Sequence, residues 1–182
     1  MSESHSPWIG LTARIVRVVL ARQDVSYAKL VSGLAELGYV DDEKPLAARV
    51  SMGRIRLSLL LQIMKVANCP VPLLWREALS AEDVSVTEQE QWEFRASRVI
   101  AAEMSQCPLA TVDEVTHKLV ALGAGHTEKT LANQIHSGEM FLPVFLRFAV
   151  ILRSPSLALF VDYSELLDVA AMEMRANEVD GS

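Results

Sequence analysis

The chain has 182 residues, 51% of them hydrophobic and 22% charged, with a net charge of −6. That length allows one domain or two small ones, and its longest apolar runs, Leu57 to Ile63 and Leu157 to Val161, are far shorter than the ~20 residues of a bilayer span. The opening stretch Met-Ser-Glu-Ser-His-Ser-Pro has no Lys or Arg and no apolar run, so no secretory signal is expected there and the expected location is the cytoplasm. Cys69 and Cys107 form no CxxC pair and read as small, half-buried residues of a reduced protein.

Taken in chain order, Ile15, Val18, Val19 and Arg22 have the spacing of an amphipathic helix. Ser26 is placed to cap a second helix carrying Leu30, Val31, Leu34 and Leu37, with Gly38 to end it. Asp42 opens a short third helix in which Pro45 is tolerated in the first turn, Leu46 and Val50 form the buried face, and Gly53 provides the stop. Leu57 to Asn68 reads as an almost wholly apolar fourth helix, central to a core, and a last turn or two follows Pro72.

The polar, acidic stretch 80–91 suits a linker or an exposed helical extension. Beyond it the same series recurs. At an offset of about 85, Leu46, Val50, Gly53 and Ile63 fall on Leu131, Ile135, Gly138 and Phe148. Ahead of the second helix the offset is about 84, pairing Trp8 with Trp92, Arg14 with Arg98 and Leu20 with Met104, so one residue is inserted near Ala110. Thr111-Val112-Asp113-Glu114 matches a capping box, Thr127 caps the third helix, Gly138 ends it and Pro143 starts the fourth. The expected fold class is all-α: two tandem helix-turn-helix-like units of four to five helices. The first spans 8–79 and the second 92–174, each with a modest core of its own, followed by a flexible tail at 175–182.

From Ser26 to Ile63 the chain resembles the phage-repressor type of helix-turn-helix domain, in which a capped second helix precedes a short recognition helix ending at glycine. The string Leu57-Ser-Leu-Leu-Leu-Gln-Ile63 is similar to that family's helix after the glycine, whereas the connection Gly38 to Lys44 is longer than its tight turn. Over most of its length the chain also resembles tandem copies of a bacterial family, domain of unknown function 6471. That likeness rests on Trp8, Ser26-Tyr27-Ala28, Leu46, Val50 and Gly53, and again on Trp92, Leu131, Ile135 and Gly138. The second resemblance implies a fold and names no activity.

Charge separates the two copies. Residues 8–79 carry ten Lys/Arg against six Asp/Glu, whereas residues 92–167 carry six against eight. Within the basic copy, Lys44, Arg49, Arg54 and Arg56 cluster on the third helix and the loop after it, where a helix-turn-helix protein meets DNA. By that resemblance Arg49 faces the major groove to pair with guanine, Lys29, Arg54 and Arg56 hold phosphates, and Tyr27 contacts the backbone or a base edge. Solvated surface charge is the plainer alternative for all of them. The matching set in the second copy is Lys129, Thr130, Asn133, Gln134 and His136, of which Asn and Gln can read adenine, but Glu128 and Glu139 flank the set and repel phosphate.

The histidines have no metal-ligand spacing and no glycine loop can cradle a phosphate, so neither catalysis nor a cofactor or metal is expected. The expectation is a sequence-specific, double-stranded DNA-binding transcriptional regulator. It would use the first copy for DNA and the second for homodimerisation or a protein partner, where most of the apolar set Phe141, Phe145, Phe148, Leu159 and Phe160 reads as plain core and any excess as the contact face. The alternative is a protein-interaction adaptor on the same helical unit.

Overall fold

The computed structural model describes residues 6–180. The order is α1 (Pro7–Arg22), α2 (Tyr27–Glu36), α3 (Glu43–Ser51), α4 (Leu57–Val66), a 3-10 turn (Leu73–Trp75), α5 (Arg76–Ser80) and α6 (Glu88–Ser105). It continues with α7 (Val112–Ala121), α8 (Glu128–Ser137), α9 (Leu142–Ile151), a second 3-10 turn (Ser156–Leu159) and α10 (Tyr163–Asp180). The described chain is all-α, and α2, α3 and α4 recur as α7, α8 and α9. No described helix is long and apolar enough to cross a membrane. Residues 1–5, most of the opening stretch read above for a signal, and the last two residues of the expected tail lie outside the described residues.

Local chemistry sets the boundaries. The Ser26 hydroxyl accepts the Lys29 amide at 3.3 Å at the start of α2, and Thr111 with Glu114 closes a complete capping box on α7. A second box, Thr87 with Glu90, starts α6. Helix ends match across the copies: left-handed residues occur at Gly38 and Gly123, at Gly53 and Gly138, and at Asn68 and Arg153. Gly138 needs glycine twice over. Its φ is +80°, and a Cβ there would meet the Glu93 carbonyl oxygen at 2.1 Å and the Ser97 nitrogen at 2.6 Å, both backbone atoms of α6.

The copies interlock. Arg56 and its counterpart Phe141 form a single antiparallel bridge in which the Leu57 amide donates to the Met140 carbonyl at 2.8 Å and the Leu142 amide donates to the Ile55 carbonyl at 2.8 Å. Because equivalent residues face one another, the copies are related by a pseudo-two-fold axis through that bridge. The first helix of each copy accordingly packs on the fourth helix of the other, α1 on α9 and α6 on α4. Trp8, fully buried in α1, lies under the Arg147 guanidinium of α9 at 4.8 Å.

Four expectations are corrected or sharpened. The core is one continuous cluster drawn from both copies instead of one modest core in each. The apolar surplus of the second copy is spent on that shared core: Phe145 and Phe148 are fully buried and Phe160 nearly so, leaving Leu159 exposed and Phe141 partly so. Of the two readings of 80–91, the helical extension holds for residues 88–91, the first turn of α6 capped by Thr87, while the segment expected as a flexible tail continues α10 as far as Asp180. A polar sequence reads as linker or helix surface alike; here the capping box decides for helix.

Candidate nucleic-acid interface

Three of the basic residues singled out in the sequence converge. Arg49, from the last turn of α3, and Arg54 and Arg56, from the loop into α4, line a hollow of about 230 Å³ at the junction of the copies, with Tyr39, Gln62, Glu93 and Phe141 among its other walls. Gly53 makes this possible by stopping α3 and turning the chain, so that Ile55 enters the core while the arginines on either side of it stay out.

The three guanidiniums are not equally available. Arg49 donates to the Tyr39 hydroxyl at 2.6 Å and pairs at 2.7 Å with Asp41, whose side chain is only 7% exposed. Burial raises the Tyr39 hydroxyl above its usual pKa, Arg49 lowers it and Asp41 raises it again. Arg49 is therefore held by the α2–α3 connection, with donors of its planar fork left over. Arg56 lies between Glu93 at 2.7 Å and Glu139 at 3.2 Å, over the face of Phe141 at 5.9 Å. Both carboxylates come from the second copy, so Arg56 is a tie between the copies more than a free cation. Arg54 is exposed, and no carboxylate partners it among the described residues.

The other expected residues lie outside the hollow. Lys29 and Lys44 are exposed in the first turns of α2 and α3 with no ion pair among the described residues. Tyr27 packs partly buried against the core, and its hydroxyl pKa is raised by that burial, with Arg17 pulling it down.

In the second copy, Lys129 and Asn133 are exposed on α8, the Thr130 hydroxyl lies 3.0 Å from that of its cap Thr127, and Gln134 is partly buried with its Oε1 unpartnered. At the positions of Arg49, Arg54 and Arg56 this copy has Gln134, Glu139 and Phe141, so the arginine cluster has no counterpart. Sequence reasoning missed Tyr39, Asp41, Gln62 and Glu93. Tyr39 and Asp41 sit in a connection whose length alone drew notice, Gln62 interrupts an apolar run, and Glu93 is supplied from the other copy.

A tandem of interlocked helical units is the class this architecture defines. The chain matches the family described as Domain of unknown function (DUF6471) over residues 8–71 and again over 92–157, and it belongs to that family. No curated protein and no solved structure matches it, so the phage-repressor likeness remains one of sequence.

Proposed function

We propose that this protein binds double-stranded DNA as a transcriptional regulator, entering the major groove with α3 of its first copy. The observation that carries the reading is the set of exposed, unpaired cations Lys29, Lys44 and Arg54 on and beside α2 and α3 in a chain of net charge −6. Phosphate neutralisation needs such a local surplus. Arg49, steadied by Tyr39 and Asp41, is the base-reading candidate, because a guanidinium fixed in advance loses less freedom when it pairs with guanine. Arg56 passes from phosphate contact to holding the copies together.

The pseudo-two-fold axis bears on stoichiometry. Operator symmetry ordinarily mirrors a protein dimer, and here one chain carries both third helices. We therefore favour binding as a single chain on an asymmetric site, with α8 adding Lys129 and Asn133 contacts, over the homodimer expected from sequence. A protein partner is reserved for the acidic second copy.

The test is a titration of labelled genomic fragments at two salt concentrations, with the mass of the complex measured in parallel. The double variant Lys44→Ala/Arg54→Ala should flatten the dependence of log affinity on log salt by about two. Arg49→Ala should cost about 1–3 kcal/mol and relax the preference at one base pair. Absence of binding at low salt would sink the proposal in favour of an adaptor, and a complex with two chains per site would restore the homodimer.

A further inference from the structure

A second, larger cavity of about 530 Å³ opens where the end of the first copy meets the second, within the usual range for small-molecule sites. Its wall is built from the segment Pro72 to Leu74, the end of α6 and the turn after α9. That wall is mainly apolar, and two of its residues, Leu73 and Leu159, are 77% and 46% exposed. The Cys107 thiol donates to the Leu152 carbonyl at 3.1 Å and joins two sides of the cavity.

One acidic group stands among these residues. Glu103, in α6, is 1% exposed. Its Oε1 accepts the Trp75 indole N–H at 2.7 Å, and its Oε2 has no hydrogen-bond partner. A buried carboxylate oxygen without a donor is costly. The matching position of α1 is Val19, fully buried, and the counterpart of Trp75 is Phe160, so the acid and the indole N–H that it accepts are both particular to this side of the fold. Trp75 accounts for one oxygen of that acid and leaves the other, beside an apolar cavity, without a donor.

We propose that this cavity binds a small organic monoamine, whose ammonium group donates to Glu103 Oε2 while its apolar body lies against Leu74, Leu152, Pro155 and Leu159. Because Oε2 lies beneath the wall, entry involves a side-chain rearrangement of a kind common on binding. Arg153, exposed at the cavity, is the lining's other charged group and disfavours a second positive charge on the ligand. The site stands independently of the DNA reading.

The test uses the full chain and calorimetric titration with 2-phenylethylamine, 2-phenylethanol and 3-phenylpropanoate. The amine should bind about tenfold or more tightly than the alcohol, which corresponds to roughly 1.4 kcal/mol, and the carboxylate should bind more weakly than both. Glu103→Gln, which keeps an oxygen for Trp75, should abolish the amine's advantage and leave the alcohol's affinity unchanged. Leu159→Trp, at the rim, should weaken amine and alcohol together. Equal binding of all three compounds, preference for the carboxylate, no amine binding at millimolar concentration, or an unaltered amine preference in Glu103→Gln would overturn the assignment. Should Glu103→Gln fail to fold, an amine affinity untouched by Leu159→Trp overturns it instead.

Discussion

Gln62 and Arg147 occupy the same position in α4 and α9, and the contrast between them shows what a buried polar group needs. Arg147 is 6% exposed, yet its Nε donates to the Leu122 carbonyl at 2.7 Å, a terminal nitrogen donates to the Pro143 carbonyl at 3.0 Å, and its plane covers Trp8. Burial pushes its pKa down to about 10 and Glu173 pulls it up, so it is charged at neutral pH. Gln62 is equally buried, but neither its amide nitrogen nor its oxygen has a partner. Gln62→Met is therefore expected to stabilise the protein by about 1–2 kcal/mol, read as a rise of roughly 2–4 °C in melting temperature per kcal/mol. A fall in melting temperature would show that the amide is satisfied after all. Because Gln62 also lines the arginine hollow, the same variant reports whether that wall matters for DNA affinity.

At the level of elements, the capped starts of α2, α6, α7 and α8 are small electrostatic devices. In α6 the Thr87 amide and hydroxyl both donate to Glu90, at 2.8 Å and 2.7 Å, and these bonds hold the Glu90 carboxyl below its ordinary pKa of 4.5. The sign follows directly. A carboxylate lowered by folding contributes stability that is present above its unfolded pKa and lost as pH falls through the folded one. Thermal melts between about pH 6 and 3 should therefore show Glu90→Gln less stable than the native chain at the upper end, with the gap closing as acid is added. A gap that stays constant would mean the box contributes through shape alone. The acid limb will not vanish in the variant, because Asp83 and Asp162 are lowered in the same direction by bonds from Ser85 and Ser164. Such boxes are legible in a sequence because every participant lies within three residues. Thr111 and Glu114 were identified that way, while Thr87 and Glu90 were hidden inside a stretch read as linker or helical extension.

Across the whole molecule, the pseudo-two-fold bridge and first helices shared between both copies make the two copies one cooperative unit. Calorimetry of the full chain should give a single transition whose van't Hoff and calorimetric enthalpies agree. Residues 6–81 alone lose the α9 surface that covers α1 and the Met140 carbonyl that accepts from Leu57. That fragment is expected to be unfolded as a monomer or to pair with a second copy of itself across the same bridge. Sedimentation of a folded, monomeric fragment would contradict this.

Most of the helices and their order, the caps at Ser26, Thr111 and Thr127, the stops at Gly38, Gly53 and Gly138, the register of the repeat and the basic character of the first copy were legible in the sequence. All of these depend on neighbours a few residues apart or on comparing the chain with itself. Tertiary structure alone decided which cations remain free. Among the described residues Lys29, Lys44 and Arg54 stay unpaired, Arg49 is braced by its own loop, and Arg56 is taken up by Glu93 and Glu139 of the other copy. It also decided where the apolar surplus of the second copy goes. Helical spacing says that a face is buried but not against what, and an arginine's code letter carries no record of the carboxylate that folding brings within 3 Å of it.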